Sequence, residues 1–157
     1  MKNKFTHISS SGNPKMVDVS KKKVTLRTAK AQAIVHLGKE IISKMEGDEL
    51  ITKKGPVFQT AIIAGVMGAK KTSDLIPFCH PLGLEDCQIA ISVKKDRAII
   101  RSVVTVTGKT GVEMEALTAC SVAALTIYDM CKALSHNIVI EEIKLTEKTG
   151  GKRDFAL

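Results

Sequence analysis

The chain has 157 residues, 44% of them hydrophobic, and its charges are scattered rather than blocked, which is the make-up of one globular domain with its own core. No apolar run approaches the roughly 18 residues of a membrane span, and the opening Met1-Lys2-Asn3-Lys4-Phe5 lacks the apolar stretch of a signal peptide, so a cytoplasmic protein away from membranes is expected. The net charge of +8 serves either solubility or an anionic partner, and five scattered aromatics argue for a small anion over nucleic acid, which needs stacking platforms.

Residues 1–20 are polar, with Ser9-Ser10-Ser11-Gly12-Asn13-Pro14, and read as a mobile N-terminal arm with a short extended piece at Met16-Val17-Asp18-Val19. Residues 21–157 read as a single domain with no linker or internal repeat. From Val24 to Val35 apolar and polar residues alternate, and a slip in phase near Thr28 predicts a strand with a bulge or kink, although the alanines also permit helix. Leu37, Ile41, Ile42 and Met45 recur at helical spacing, Glu40 and Lys44 pair on the outer side, and Gly47 closes that helix. Gly55-Pro56 opens a second helix whose stretch from Val57 to Ala69 has no charge, so it is buried on most sides. Lys70 and Lys71 suit its C-terminal end, and a proline-framed turn follows at Pro77-Phe78-Cys79-His80-Pro81.

Ile89, Ile91 and Val93 alternate with Ala90, Ser92 and Lys94. After Lys95-Asp96-Arg97 a β-branched run from Ile99 to Val106 completes a hairpin. A helix then runs from the turn at residues 107–111 to about Leu134, and residues 138–145 form a last strand. Strand, helix pair, strand, strand, helix, strand is the order of an α+β fold: a ferredoxin-like, four-stranded antiparallel sheet with helices on one face. Two helices this apolar exceed what one sheet face covers, which indicates a subunit interface or, alternatively, a dense monomer core. Cys79, Cys87, Cys120 and Cys131 read as free thiols, with no Cys-x-x-Cys pair to hold a structural metal.

Several residues break local rules. Gly108-Lys109-Thr110 is not a phosphate-binding P-loop, because Val103 stands where that pattern needs glycine. The turn is either an anion-holding helix start or an ordinary strand-to-helix connection. Asp129 is the one charge between Ala116 and Cys131, sits near a helix C-terminus where the dipole opposes it, and has Lys132 at i+3. It is either a functional acid or half of an exposed ion pair of small value. Glu113 and Glu115 suit a first helical turn. His80 sits in a stiff turn that suits a binding residue, though turn histidines are commonly idle. Lys53-Lys54 stand before a helix start, against the dipole, where plain solvated surface is the alternative.

Residues 107–119 (TGKTGVEMEALTA) and 121–132 (SVAALTIYDMCK) resemble the signature helix of the cyclic pyranopterin monophosphate synthase family. Residues 74–82 (DLIPFCHPL) resemble its second signature, with Phe78 where relatives carry leucine. Residues 16–20, Lys54-Gly55, Ala64-Gly65 and residues 148–155 are similar to its other stretches, so the likeness covers about residues 5–155. It implies conversion of 3′,8-cyclo-7,8-dihydroguanosine 5′-triphosphate, the product of a radical SAM cyclase, to cyclic pyranopterin monophosphate with release of diphosphate, a step of molybdenum cofactor biosynthesis.

By motif, the resemblance makes Asp129 and Lys132 the catalytic pair with Lys54 as a further acid–base group. Phe78, Cys79, His80, Met114 and Glu115 then line the substrate site, with Glu113, Arg27 and Lys148 as neighbours. Nothing in the sequence requires a protein-bound metal, while magnesium accompanying the triphosphate is possible. The resemblance also implies a homohexamer, a trimer of dimers with shared sites. Lys54 and Asp129, distant in sequence, are therefore expected to reach each site from different subunits. The chemistry fits these residue types: ring opening and pterin formation need several proton transfers. Clustered positive charge is expected to lower a lysine's pKa, and cations offset the charge on departing diphosphate. The rivals are an RNA-binding module, disfavoured by the lack of aromatics in residues 89–106, and a guanosine triphosphate cyclohydrolase.

Overall fold

The computed structural model describes residues 11–157. In chain order its elements are β1 (Thr25–His36), α1 (Lys39–Ile42), β2 (Met45–Glu46), β3 (Glu49–Thr52), β4 (Gly55–Pro56), α2 (Val57–Lys70), α3 (Thr72–Leu75), β5 (Asp86–Lys94), β6 (Arg97–Gly108), α4 (Glu113–Cys131), β7 (Val139–Thr149) and β8 (Phe155–Ala156). One antiparallel sheet has the order β5-β6-β1-β7-β8, and a small second sheet has the order β2-β3-β4. The arrangement is α+β with α2 and α4 packed on one face of the large sheet. The proposed N-terminal arm lies partly outside the described residues, at 1–10. From residue 11 to residue 24 the chain has no helix and only one isolated bridge, at Pro14.

The sheet faces follow from alternation. Ala29, Ala31, Ala33 and Val35 of β1 and Ala98, Ile100, Val104 and Val106 of β6 point under the helices and are buried. The alanines of β1 let α4 approach closely, and α4 answers with Ala116, Ala119, Cys120, Ala123 and Ala124, all buried. Polar contacts cross this layer at Ser102, whose Oγ donates to the Ala116 carbonyl at 2.8 Å and lies 3.3 Å from Cys120 Sγ, and no side-chain nitrogen or oxygen buried among the described residues lacks a partner. By length and hydropathy α4 passes for a membrane span, but here it is the core helix, with more than half of its apolar window buried.

Four features differ from expectation. The large sheet has five strands rather than four, because the tail returns to pair Phe155 with Lys148 and Ala156 with Glu147. The bulges lie in β7 and not in β1: β1 pairs with β6 in unbroken register from Thr25 to His36, whereas Glu141 and Thr146 are extra residues against β1. The phase slip near Thr28 has another cause, since Leu26 lies on the open sheet face while Ala29 begins the covered run. Finally, the helix expected from Leu37 to Met45 is one turn long; Gly47 sits at φ 61 in the turn joining β2 to β3. Leu37, Ile41 and Leu50 are fully buried there, so the helical spacing came from a short turn and a hairpin covering the same piece of core.

Candidate active site

α4 is the axis of the site. Asp129 is in its last turn, and α2 runs antiparallel beside it, so the β3–β4 turn that precedes α2 meets the end of α4. Lys54, in that turn, donates from Nζ to Asp129 Oδ2 at 2.8 Å and to the Asp129 backbone carbonyl at 3.1 Å. Lys132, one turn on from the acid, places Nζ 2.7 Å from Asp129 Oδ1. Both carboxylate oxygens are therefore claimed by ammonium groups. The hydrogen bond from Lys132 and then that from Lys54 hold the Asp129 carboxyl down at about 2. The partnership raises the Lys132 pKa, mainly through its hydrogen bond to Asp129. The lowered lysine expected from clustered positive charge is thus overturned at Lys132, because an anion stands between the cations. The expectation that Lys54 and Asp129 come from different subunits is overturned too: one chain brings them into contact.

At the other end of α4 is a groove of about 700 Å³. Phe78, Cys79 and His80 line it from the proline-framed turn, and Glu113, Met114 and Glu115 line it from the first turn of α4. Cys79 is held by its backbone N–H donating to the Ile76 carbonyl at 3.0 Å. Glu115 is 4% exposed, and burial, reinforced by the charge of Glu113, raises its pKa. Burial, and then Glu115, raises that of Cys79 also, so the thiol is not an activated nucleophile.

Arg27 and Lys148 border an adjoining groove of about 270 Å³ that shares Glu113, Thr110 and Gly111 with the first. Lys148 Nζ donates to Glu113 Oε1 at 2.9 Å, and Arg27 Nε donates to the Gly108 carbonyl at 3.0 Å. At Glu113 burial pushes the pKa up, but the Lys148 bond, the helix backbone and the charges of Lys148 and Arg27 outweigh it and lower the value.

The structure thus gathers the eleven expected residues into two groups rather than one. From Glu115 to Asp129 is fourteen residues of helix, about 21 Å. Two lysines went unnamed in the sequence reading. Lys22 and Lys152 border both grooves, together with Val17, Asp18 and Val19 at the larger one. The run Lys21-Lys22-Lys23 was the local signal for Lys22, and the family-like stretch 148–155 held Lys152, but only the chain's course brings both beside Glu113. Among the described residues no cluster of three or more His, Cys, Asp or Glu could hold a metal.

Residues 16–151 match the MoaC family. The chain belongs to the MoaC family. Its similarity extends to a molybdenum cofactor biosynthesis bifunctional protein of Synechocystis sp., 53% identical over 97% of this chain and 45% of that protein. Molybdenum cofactor biosynthesis protein 1 of Dictyostelium discoideum is 46% identical over 96% of this chain and 27% of that protein. The chain therefore spans less than half the length of these two relatives. The MoaC match includes Lys54, the turn at residues 78–80, both ends of α4 and Lys148, so both groups of site residues lie inside it.

Proposed function

We propose that this chain converts 3′,8-cyclo-7,8-dihydroguanosine 5′-triphosphate to cyclic pyranopterin monophosphate with release of diphosphate, in the cytoplasmic synthesis of the molybdenum cofactor. The observation that carries the reading is the Lys54–Asp129–Lys132 cluster, whose three residues lie inside the stretch matched to the family. It stores protons on two nitrogens around one carboxylate. Either lysine gives up a proton to the rearranging ring while the other keeps Asp129 neutralised. At the far groove the buried Glu115 and the Cys79–His80 turn supply polar contacts for a heterocycle, and Lys22, Arg27, Lys148 and Lys152 offer charge for the phosphates. A radical SAM cyclase supplies the substrate, and magnesium enters only with the triphosphate.

Neither group can serve a small substrate alone, and about 21 Å of α4 separates them. We therefore place each active site between two subunits, the cluster from one and the groove from its partner, within a hexamer of three dimers. Support comes from the apolar outer surface of α2 and α4, where Ile63, Met67 and Leu125 are each about 60% exposed. The unit doing this is a single domain, residues 21–157, on a ferredoxin-like core of β1, α2, β5, β6, α4 and β7, whose strand order supports that description. Of the arm proposed for residues 1–20, Val17, Asp18 and Val19 border the larger groove.

The test is incubation with the cyclised triphosphate and mass spectrometry of the products, with appearance of the pterin monophosphate and diphosphate expected. Turnover of unmodified guanosine triphosphate would favour a cyclohydrolase instead. No pterin product, together with salt-dependent binding of bulk RNA, would favour the RNA-binding module.

A further inference from the structure

The N-terminus of α2 lacks the cap that helices ordinarily carry. Its N-cap residue is Pro56, which has no side-chain acceptor, and its first turn holds no acidic residue. The missing acceptor comes from another element. Glu49, the first residue of β3, accepts from the Phe58 N–H at 2.8 Å on Oε1 and from the Gln59 N–H at 3.0 Å on Oε2. Those are the second and third helical amides, the pair an N-cap side chain would serve. Oε1 also accepts from the Leu50 N–H at 2.7 Å. One carboxylate thus joins the base of the β3–β4 hairpin to the start of α2.

The tip of that hairpin carries Lys54. Thr52 Oγ1 accepts from the Lys54 N–H at 3.2 Å and donates to the Gly55 carbonyl at 3.3 Å. Gly55 itself sits at φ 108, where a side chain would be strained. α2 is in turn fixed against α4, since a methyl on Gly65 would lie 2.8 Å from the Ala119 carbonyl oxygen. The links close a ring: Asp129 on α4, α4 on α2, α2 on Glu49, and Glu49 on the hairpin whose Lys54 returns to Asp129. Glu49 is the link that ties the base of the hairpin to the start of α2.

We infer that Glu49 is a positioning residue for Lys54: by clamping the hairpin to α2 it sets where the Lys54 ammonium stands against Asp129. The inference rests on Lys54 acting in the chemistry as proposed above. Glu49 touches no reacting atom. Its loss leaves the groove intact and widens the positions open to one proton donor, an effect on kcat rather than KM.

The experiment is a double-mutant cycle with the cyclised triphosphate, using wild type, Glu49→Gln, Lys54→Ala and the double variant, each checked for folding by circular dichroism. Glutamine keeps the length but turns an N–H donor toward an amide donor. Glu49→Gln is expected to lower kcat about tenfold or more with KM changed less than about twofold. The double variant should turn over no more slowly than Lys54→Ala alone, because Glu49 acts through that lysine. Unchanged kcat in Glu49→Gln, or a further loss in the double variant, overturns the inference. Full activity of Lys54→Ala overturns the catalytic reading of Lys54 and Glu49's role with it, so the two failures are separable.

A second pair separates clamp from cap. Glu49→Ala/Pro56→Asp supplies a local cap to α2 without tying down the hairpin. Its melting temperature should return toward wild type while kcat stays low. Recovery of kcat together with the melting temperature would make Glu49 a helix cap and nothing more.

Discussion

The Asp129 carboxylate is shared by two ammonium groups at 2.7 and 2.8 Å, and all three side chains are half exposed. Exposed pairs of this kind contribute little to stability, so a catalytic role is tested by activity rather than by melting temperature. Asp129→Asn keeps the shape and removes the charge; it is expected to leave the fold and assembly intact and to abolish nearly all turnover, as read by product formation alongside light scattering. Activity near wild type would reduce Asp129 to a helix-end ion pair. For Lys54→Ala and Lys132→Ala, kcat should fall on the order of 100-fold or more, while a rise in KM alone would make them phosphate anchors. A pH effect follows from the same contacts. The folded carboxyl titrates at about 2 against an ordinary 3.8. Its folded value is the lower, so whatever the pairs add to stability is present above about pH 4 and is lost as pH falls toward about 2. Acid-unfolding curves of wild type and Asp129→Asn should converge across that window. Parallel curves would show that the pairs do not stabilise the fold.

The packing of α2 on α4 sets the relation between the β3–β4 turn and Asp129, and Gly65, against Ala119, and Gly68, against Val122, make it possible. A methyl at Gly65 would clash with Ile89 Cδ1 and lie 2.8 Å from a backbone carbonyl, which cannot move as a side-chain tip can. Alanine would gain about 1 kcal/mol of helix propensity, but overpacking at a close helix contact costs about 1–3 kcal/mol. Gly65→Ala should therefore show a net loss of stability in chemical denaturation, with turnover falling as α2 shifts; a stabilised variant would mean that the helices part without strain. Elements of this size were legible in the sequence where periodicity ran long. The strands β1, β5, β6 and β7 and the helices α2 and α4 stand where alternation and apolar runs put them, within a few residues. The small sheet was not legible, because β2 and β4 are two residues each and owe their existence to Ile41 and Leu50 packing into a shared core. The Glu49 clamp was hidden for a similar reason: nothing local to a strand residue signals that it caps a helix nine residues away. Likewise, 75 residues separate Lys54 from Asp129, and only the antiparallel course of α2 and α4 brings them together.

At the scale of the whole molecule the proposed reaction requires two residue groups at opposite ends of α4 to serve one substrate. A two-fold axis offers an answer within the proposed dimer, because an isologous interface across the apolar surfaces of α2 and α4 repeats each contact in reverse. The cluster end of one α4 then lies near the groove end of the other, and two equivalent sites form per dimer. The proposed dimer would take Lys54, Asp129 and Lys132 from one subunit and Phe78, Cys79, His80, Met114 and Glu115 from its partner. Mixing variants tests the assignment. Asp129→Asn and the double variant His80→Ala/Glu115→Ala are each expected to be inactive alone. After dissociation and random reassembly, half the dimers are mixed; in each of those one site carries every lesion and the other carries none. About a quarter of wild-type activity should return. The pair Lys54→Ala and Asp129→Asn belongs to one cluster and should recover nothing under the same treatment, which controls for refolding artefacts. If mass spectrometry shows mixed dimers and the first pair also recovers nothing, each site is complete within one chain, and α4 must bend or the groove must close by a movement of about 20 Å to bring the two groups together.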